Sequence, residues 1–369
     1  MDSRELLVRR SASQLLDRRM DRAPEAIVHA LLAVQAQDRG AWRLALRARG
    51  SGFSAADVDK ALTDRRSLVV AWLNRGTLHL VAAEDYPWLI ALTAPTKVAS
   101  NRRRLAQEGL TPNEVDRAMG VIERALTDDG PLPRSELRRR LAAQGIRTAG
   151  QATVHLLFAA VIRGVALQGP MAGKEHAFAL VRDWLGVDQD PLAPLPAERR
   201  ETALAELARG YLRGHGPATE ADLAKWAGLP LRDARAGLRS IASEIGELAG
   251  PAGPLLDLVG RSSTPDLLTP LPARLLPGFD PCLLGWRERE PFVASGDDAR
   301  VVPPGGGLLR PTAIVDGTAA ATWSLRRQGD RIAVRIDPFR PLGPEDAAAL
   351  ATDAEDVARF EGRSLDGGV

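Results

Sequence analysis

Thr111-Pro112-Asn113-Glu114 and Gly130-Pro131-Leu132-Pro133-Arg134-Ser135-Glu136-Leu137 frame the stretch that decides the fold, residues 111–181. Threonine at the N-cap, proline at the first helical position and glutamate at N3 make a capping box. It satisfies backbone donors that a first turn otherwise leaves unpaired. Val115, Met119, Ile122 and Leu126 follow at helical spacing as an apolar stripe. The Gly-Pro turn introduces a short helix over 136–143. Thr148-Ala149-Gly150-Gln151 reads as another capping box, opening a third helix with Val154, Leu157, Phe158 and Val161 inward. Two strands, 165–168 and 177–181, flank Met171-Ala172-Gly173-Lys174. Three helices followed by a β-hairpin is the order of a winged helix, with the hairpin as the wing.

The pattern recurs. Gly216-Pro217-Ala218-Thr219-Glu220-Ala221-Asp222-Leu223 keeps the same spacing from Gly-Pro to the acid and the leucine. In both copies the acid falls in a first helical turn, where the helix dipole favours it. This copy is expected to comprise helices 197–213, 220–226 and 231–242, with wing strands 255–259 and 266–268. An irregular first copy, echoed by Ser54-Ala55-Ala56-Asp57-Val58, would use helices 11–18, 24–34 and 54–62 and strands 68–72 and 77–81. After Pro270 the helical periodicity stops. Short apolar runs at 283–286, 313–315, 319–323 and 332–336 are punctuated by Pro and Gly, with turn signals at Asp316-Gly317 and Gly329-Asp330. They predict a small β-barrel or curled antiparallel sheet, closed by a helix over 345–360.

The expected fold class is therefore α+β, mainly α, with tandem winged-helix (helix-turn-helix) modules and a C-terminal small β-barrel. The boundaries read as winged helix 1 at 1–100, winged helix 2 at 101–190 and winged helix 3 at 191–269. The β-barrel-like domain follows at 270–340, and the C-terminal helix and tail at 341–369. Several modules in one chain suit a monomeric clamp.

The composition bounds the function. The 369 residues are 45% hydrophobic and 26% charged, ordinary for a globular protein. No apolar run approaches the ~20 residues that span a bilayer, and Met1-Asp2-Ser3-Arg4-Glu5 carries no secretory apolar segment. The expectation is a cytoplasmic protein without a membrane partner. A single cysteine, Cys282, excludes an internal disulfide. The histidines at 29, 79, 155, 176 and 215 show no HExxH spacing, so neither a metal nor a cofactor is expected. Nucleophile-elbow and Walker A motifs are absent. Gly305-Gly306-Gly307 reads as a loop tip and Asp280 as a turn residue.

Net charge is only +2, so distribution matters more than total. Arginines cluster at Arg9-Arg10, Arg18-Arg19, Arg102-Arg103-Arg104 and Arg138-Arg139-Arg140, whereas lysine occurs only at 60, 97, 174 and 225. Such runs either line a phosphate-binding surface or form solvated helix faces.

Two short motifs carry the candidate chemistry. Gln35-Ala36-Gln37 follows an amphipathic helix whose buried side is marked by Ile27, Ala30, Leu31 and Val34. Residues i and i+2 do not share a face of a regular helix, so the amides converge only if the helix end distorts or the substrate fills the angle between them. Otherwise they are ordinary helix-end glutamines. Arg39, Trp42, Arg43 and Arg47 nearby fit a nucleic-acid-facing surface. Arg75-Gly76-Thr77-Leu78-His79 lies where the first wing should form, and strand alternation puts Thr77 and His79 on one face. The motif is either a plain turn and strand or a polar face beside the glutamines that touches DNA or a lesion.

With these residues in view the chain resembles a known family. Gln35-Ala36-Gln37, Trp72-Leu73-Asn74-Arg75-Gly76-Thr77-Leu78-His79, Leu276-Pro277-Gly278-Phe279-Asp280 and Val315-Asp316-Gly317 through Trp323 are similar, in order, to the winged-helix DNA glycosylases of the AlkZ/YcaQ (AlkX) type. The resemblance implies a C-shaped clamp on double-stranded DNA, excision of N7-alkylguanine and unhooking of interstrand crosslinks. Gln37 in the second position resembles the AlkZ-like Gln-x-Gln branch, not the Gln-x-Asp branch, although Asp38 follows directly. That branch includes self-resistance enzymes of bacteria that make DNA-alkylating natural products.

The resemblance implies Gln35 and Gln37 as catalytic residues and no cofactor. Arg39, Arg43, Arg75, Thr77 and His79 are the candidate DNA- or lesion-binding residues. The scarcity of lysine argues against a Schiff-base lyase step, so a monofunctional enzyme is expected. The competing readings are a non-enzymatic winged-helix transcription regulator, which would normally dimerise on a two-fold operator, and a protein that sequesters the alkylator.

Overall fold

The capping box at Thr111 forms as the sequence requires. The Thr111 side chain accepts from the Glu114 amide and the Glu114 carboxylate accepts from the Thr111 amide. In the computed structural model, which describes residues 1–38, 40–173, 175–261, 266–305 and 307–367, it starts α7 in a mixed α/β fold.

The N-terminal part runs α1 Ser3–Ser13, β1 Met20–Asp21, α2 Pro24–Leu31, β2 Val34–Gln35, α3 Ala41–Arg49, β3 Gly50–Ser51, α4 Ala55–Thr63, β4 Leu68–Trp72, β5 Leu78–Ala82, α5 Tyr86–Thr93 and α6 Val98–Gln107. The second part runs α7 Pro112–Asp129, β6 Leu132–Pro133, α8 Arg134–Ala143, α9 Ala152–Ile162, β7 Ala166–Ala172, β8 Glu175–Leu180 and α10 Val181–Leu185. The third has α11 Ala197–His215, α12 Glu220–Ala227, α13 Leu231–Ser240, β9 Ile245–Gly250 and β10 Gly253–Leu258. The last has β11 Arg274–Leu276, α14 Asp298–Val301, β12 Thr312–Val315, β13 Thr318–Gln328, β14 Arg331–Pro338, α15 Pro344–Glu361 and β15 Ser364–Leu365.

The two Gly-Pro repeats do the same structural work. After α7, Leu132 pairs with Phe178 of the following hairpin. After α11, Ala218 bridges to Leu256 of its own hairpin. Each repeat thus sends the chain from a long helix past the edge of a hairpin and into two short helices. Thr219 and Asp222 complete the second copy with a capping box on α12.

Several local expectations are corrected. The first helix is Ser3–Ser13, not 11–18, because Asp2 caps it at Glu5 and Leu15 adopts φ +56° just past its end. Thr148 makes no capping box: α9 begins after Gln151 without a side-chain cap, and the Gln151 amide is bound by Glu108 instead. The third hairpin pairs β9 with β10, not 255–259 with 266–268. Asp266 folds its carboxylate back onto the amides of Leu268 and Thr269 as a turn, and residues 262–265 lie outside the described set. The apolar run 283–286 is no strand, since Pro281–Leu283 is a 3₁₀ turn.

β2-β5-β4-β7-β8-β6 form one six-stranded sheet, so the strands of the N-terminal and second parts are continuous through the Val70–Gln168 pair. β11 to β15 form a five-stranded sheet in sequence order, antiparallel except for the parallel β14–β15 pair, with turns at Asp316-Gly317 and Gly329-Asp330 as expected. The inner side chains of α2, α3 and α4 share a core with this sheet and α15, through Ile27, Trp42, Leu46, Val357 and Phe360. Buried ion pairs stitch the same interface: Arg47 to Asp353, and Arg49 to Asp280. Arg49 and Asp280 are both wholly buried, so Asp280 holds two parts of the chain together as well as capping the turn at Cys282.

Candidate active site

Gln35 stands in a strand rather than in a helix, and this resolves how the amides of the motif meet. α2 stops at Leu31, and Leu32 adopts φ +65°, which breaks the helix before position 34. Val34 and Gln35 then pair antiparallel with Leu80 and His79, and the Ala36 amide donates to the Leu78 carbonyl at 2.7 Å. In extended chain, side chains two apart point the same way. The Gln35 amide nitrogen accordingly donates to the Gln37 side-chain oxygen at 2.7 Å. Gln35 is buried and Gln37 is exposed, so the pair runs from the protein interior to its surface.

Asp38 has a different task. Its carboxylate accepts from the Gly40 and Ala41 amides at 2.9 and 3.2 Å and so starts α3. The acid beside the motif caps a helix, and Gln37 is the residue that meets Gln35.

Arg75 sits in the tight turn Asn74–Gly76 between β4 and β5, at φ +54°. Its Nη2 donates to the Gln35 side-chain oxygen at 3.0 Å and its Nη1 to the Trp226 carbonyl at 2.8 Å. A guanidinium only donates, so it fixes the Gln35 oxygen toward itself and the Gln35 nitrogen toward Gln37. Lys97 reaches the Gly228 carbonyl at 3.3 Å. Both cations thus lie on carbonyls at the C-terminal end of α12, where the helix dipole welcomes positive charge. Neither makes an ion pair among the described residues. Burial lowers the pKa of each, and for Lys97 the Arg75 charge adds to the lowering.

His79 faces the same side of the sheet as Gln35, because the Ala36–Leu78 hydrogen bond makes 35 and 79 the neighbouring close-approach pair. It is buried, which pushes its pKa down to about 3, with Arg75 adding to the effect. Nδ1 lies 2.9 Å from the Thr77 carbonyl. A neutral ring must donate there, which leaves Nε2 as an acceptor. His79 is therefore no acid near neutrality. Thr77 is partly exposed and donates its hydroxyl to the Asn74 carbonyl.

Arg43 has partners of its own. Arg43 pairs with Asp59 at 2.6 Å and stacks over the Trp42 ring. Arg39 lies outside the described residues. Of the basic runs, Arg10 is buried against Trp286, Arg19 joins Asp353, and Arg139 and Arg140 bind Glu136. Arg102 and Arg103 are exposed and make no ion pair among the described residues. Sequence reading missed Trp226, Gly228 and Lys97. Nothing in local spacing links position 75 to a helix end some 150 residues on.

His215, buried beneath Tyr211 and Trp226, is also held near a pKa of about 3 by desolvation. The unfolded chain protonates both histidines near 6.5 and the folded chain does not, so between pH 6.5 and about 3 the unfolded state binds more protons. Stability is expected to fall as pH drops through that window, by up to about 1.4 kcal/mol per pH unit for each histidine. Urea midpoints at pH 7, 6 and 5 measure the slope, and His215→Phe should make it shallower.

Among the described residues no group of three His, Cys, Asp or Glu side chains could hold a metal. Nor, among the described residues, is any helix long and apolar enough to cross a membrane.

The family model described as DNA glycosylase AlkZ-like matches residues 28–360. The interstrand DNA cross-link repair glycosylase of Streptomyces sahachiroi is 26% identical over 375 residues, covering 98% of this chain and 97% of that protein. The solved structure of the Streptomyces sahachiroi DNA glycosylase AlkZ superposes with a TM-score of 0.76 at 24% identity, over 99% of each chain.

Proposed function

Because the chain belongs to the AlkZ-like DNA glycosylase family, we propose that it hydrolyses the N-glycosidic bond of N7-alkylated guanine in duplex DNA, with Gln35 and Gln37 as the catalytic residues. The observation that carries this reading is the one-directional amide pair, buried at Gln35 and open at Gln37. Alkylation at N7 makes guanine cationic, so it departs as a neutral base and leaves an oxocarbenium-like sugar. A leaving group activated in this way needs no strong general acid, and neither the amides nor the neutral His79 supplies one. The Gln37 oxygen already accepts from Gln35 and has a second lone pair. That lone pair can accept from a water and turn the water's oxygen toward the anomeric carbon. Its dipole also lies with the negative end toward the developing positive charge.

The repeated helix, short strand, two helices and hairpin act as winged helices that grip the duplex, and Arg39, Arg43 and Thr77 are the residues proposed to contact DNA. A groove-probing clamp accommodates bulky or crosslinked adducts better than a tight base pocket. The cross-link activity named for the Streptomyces sahachiroi relative is proposed for this chain on that ground. Self-protection against a DNA-alkylating natural product belongs to the same proposal, as does action as a monomer that leaves an abasic site.

The test is incubation with duplex DNA carrying one N7-alkylguanine, followed by alkali. Strand breaks at the lesion are the expected outcome. Absence of base release from every N7 adduct, together with sequence-selective binding of undamaged duplex, would replace the enzyme with a regulator.

A further inference from the structure

We propose that Arg75 is a positioning residue that sets the polarity of the amide pair, and that α12 of the third module holds Arg75 in place to do so. The inference rests on the reading of Gln35 and Gln37 as the catalytic pair. Two glutamines facing each other can hydrogen-bond in either sense, because each amide carries one donor group and one acceptor. In the sense in which Gln35 donates, the Gln37 oxygen is held at the contact with one lone pair left for water; in the reverse sense the Gln37 amino group would lie there and its oxygen would be turned away. The Arg75 Nη2–Gln35 contact at 3.0 Å selects that sense, since the reverse would set the Gln35 amide hydrogens against the guanidinium.

Arg75 is itself fixed by the third module. Nη1 donates to Trp226, the penultimate residue of α12, and burial covers most of the side chain. Gly228, just past the helix, has φ +66° and lies against the Arg75 backbone. A Cβ there would stand 2.7 Å from the Arg75 nitrogen and 2.9 Å from its Cα. Only glycine permits that approach, so the end of α12 and the turn at 74–76 are fitted to each other. The catalytic pair, carried by the first module, is thereby completed by a helix end of the third. A guanidinium engaged by two protein acceptors serves this task better than direct capture of a DNA phosphate.

The test is a double-mutant cycle between Arg75→Met and Gln35→Ala, with Arg75→Lys as the conservative variant. It is read by single-turnover base release from N7-methylguanine duplex and by binding of undamaged duplex, with circular dichroism and melting to confirm folding. Arg75→Met is expected to slow release roughly tenfold to a hundredfold while duplex affinity stays within about twofold. In the Gln35→Ala background it should add nothing, and Arg75→Lys should recover part of the rate. An Arg75→Met effect that adds in full to Gln35→Ala, with weaker duplex binding and a salt dependence shallower by about one, makes Arg75 a phosphate contact and overturns the inference. So does unchanged release by Arg75→Met where Gln35→Ala is inactive. Full activity of Gln35→Ala alone instead strikes the amide-pair reading itself, and the positioning role with it.

Discussion

Gln35→Ala and Gln37→Ala should each lower single-turnover base release by about 10²–10³-fold, the loss seen when one preorganised polar group is removed from a transition-state site. Binding of undamaged duplex should change little, because Gln35 is buried and neither amide carries charge. The two losses should not multiply. Gln35 acts on water only through the 2.7 Å bond to Gln37, so the double variant should resemble the worse single variant. Gln37→Ala removes the exposed oxygen that faces water, whereas Gln35→Ala leaves that oxygen in place but unaligned. The larger effect is therefore expected at Gln37. Loss of duplex binding in step with activity would turn the pair into a DNA contact.

Asp280→Ala should bring the largest loss of stability, about 3–5 kcal/mol, since it strands a wholly buried guanidinium. Arg49 donates to both Asp280 oxygens at 2.7 and 2.9 Å, and also to Gln14 just past the end of α1 and to the Ala45 carbonyl. Removing the carboxylate leaves the charge with neutral acceptors only and frees the turn at Cys282, whose amide the same carboxylate caps. A paired replacement, Arg49→Met with Asp280→Leu, should cost far less, because it removes both charges together. The denaturant midpoint checks both variants. An Asp280→Ala loss below about 1 kcal/mol would place the ion pair in the class of surface pairs, which contribute little.

What the sequence made legible is local. The Thr111 capping box, the two Gly-Pro turns, and the hairpin turns at 316–317 and 329–330 are written in side chains that act on neighbouring backbone, and all are in the structure. Long-range pairing was hidden. Val34-Gln35 continues the apolar stripe of α2, so periodicity extends the helix over it. Its strand character comes from a partner some forty residues on. β9 was missed because Gly246 and Gly250 thin out its alternation, while Asp257 and the turn at Asp266 drew the expected wing too far along the chain. Asp280 reads as a turn residue, which it is. Nothing around it announces that Arg49, more than two hundred residues earlier, lies beneath it. At the candidate site the two glutamines are legible in the sequence as a motif, but the way their amides meet is not. That required a helix to stop at Leu32 and a strand to begin.

The selectivity proposed for the pair is that two amides cleave only a base that is already a cation. Its most direct test is the released base itself, quantified by mass spectrometry from matched duplexes carrying either cationic N7-methylguanine or neutral O6-methylguanine at one site. Release of the first and none of the second above the uncatalysed background is the expected result. Release of the neutral lesion at a comparable rate would contradict it, because that reaction needs a proton donor which neither Gln35, Gln37 nor the neutral His79 can be.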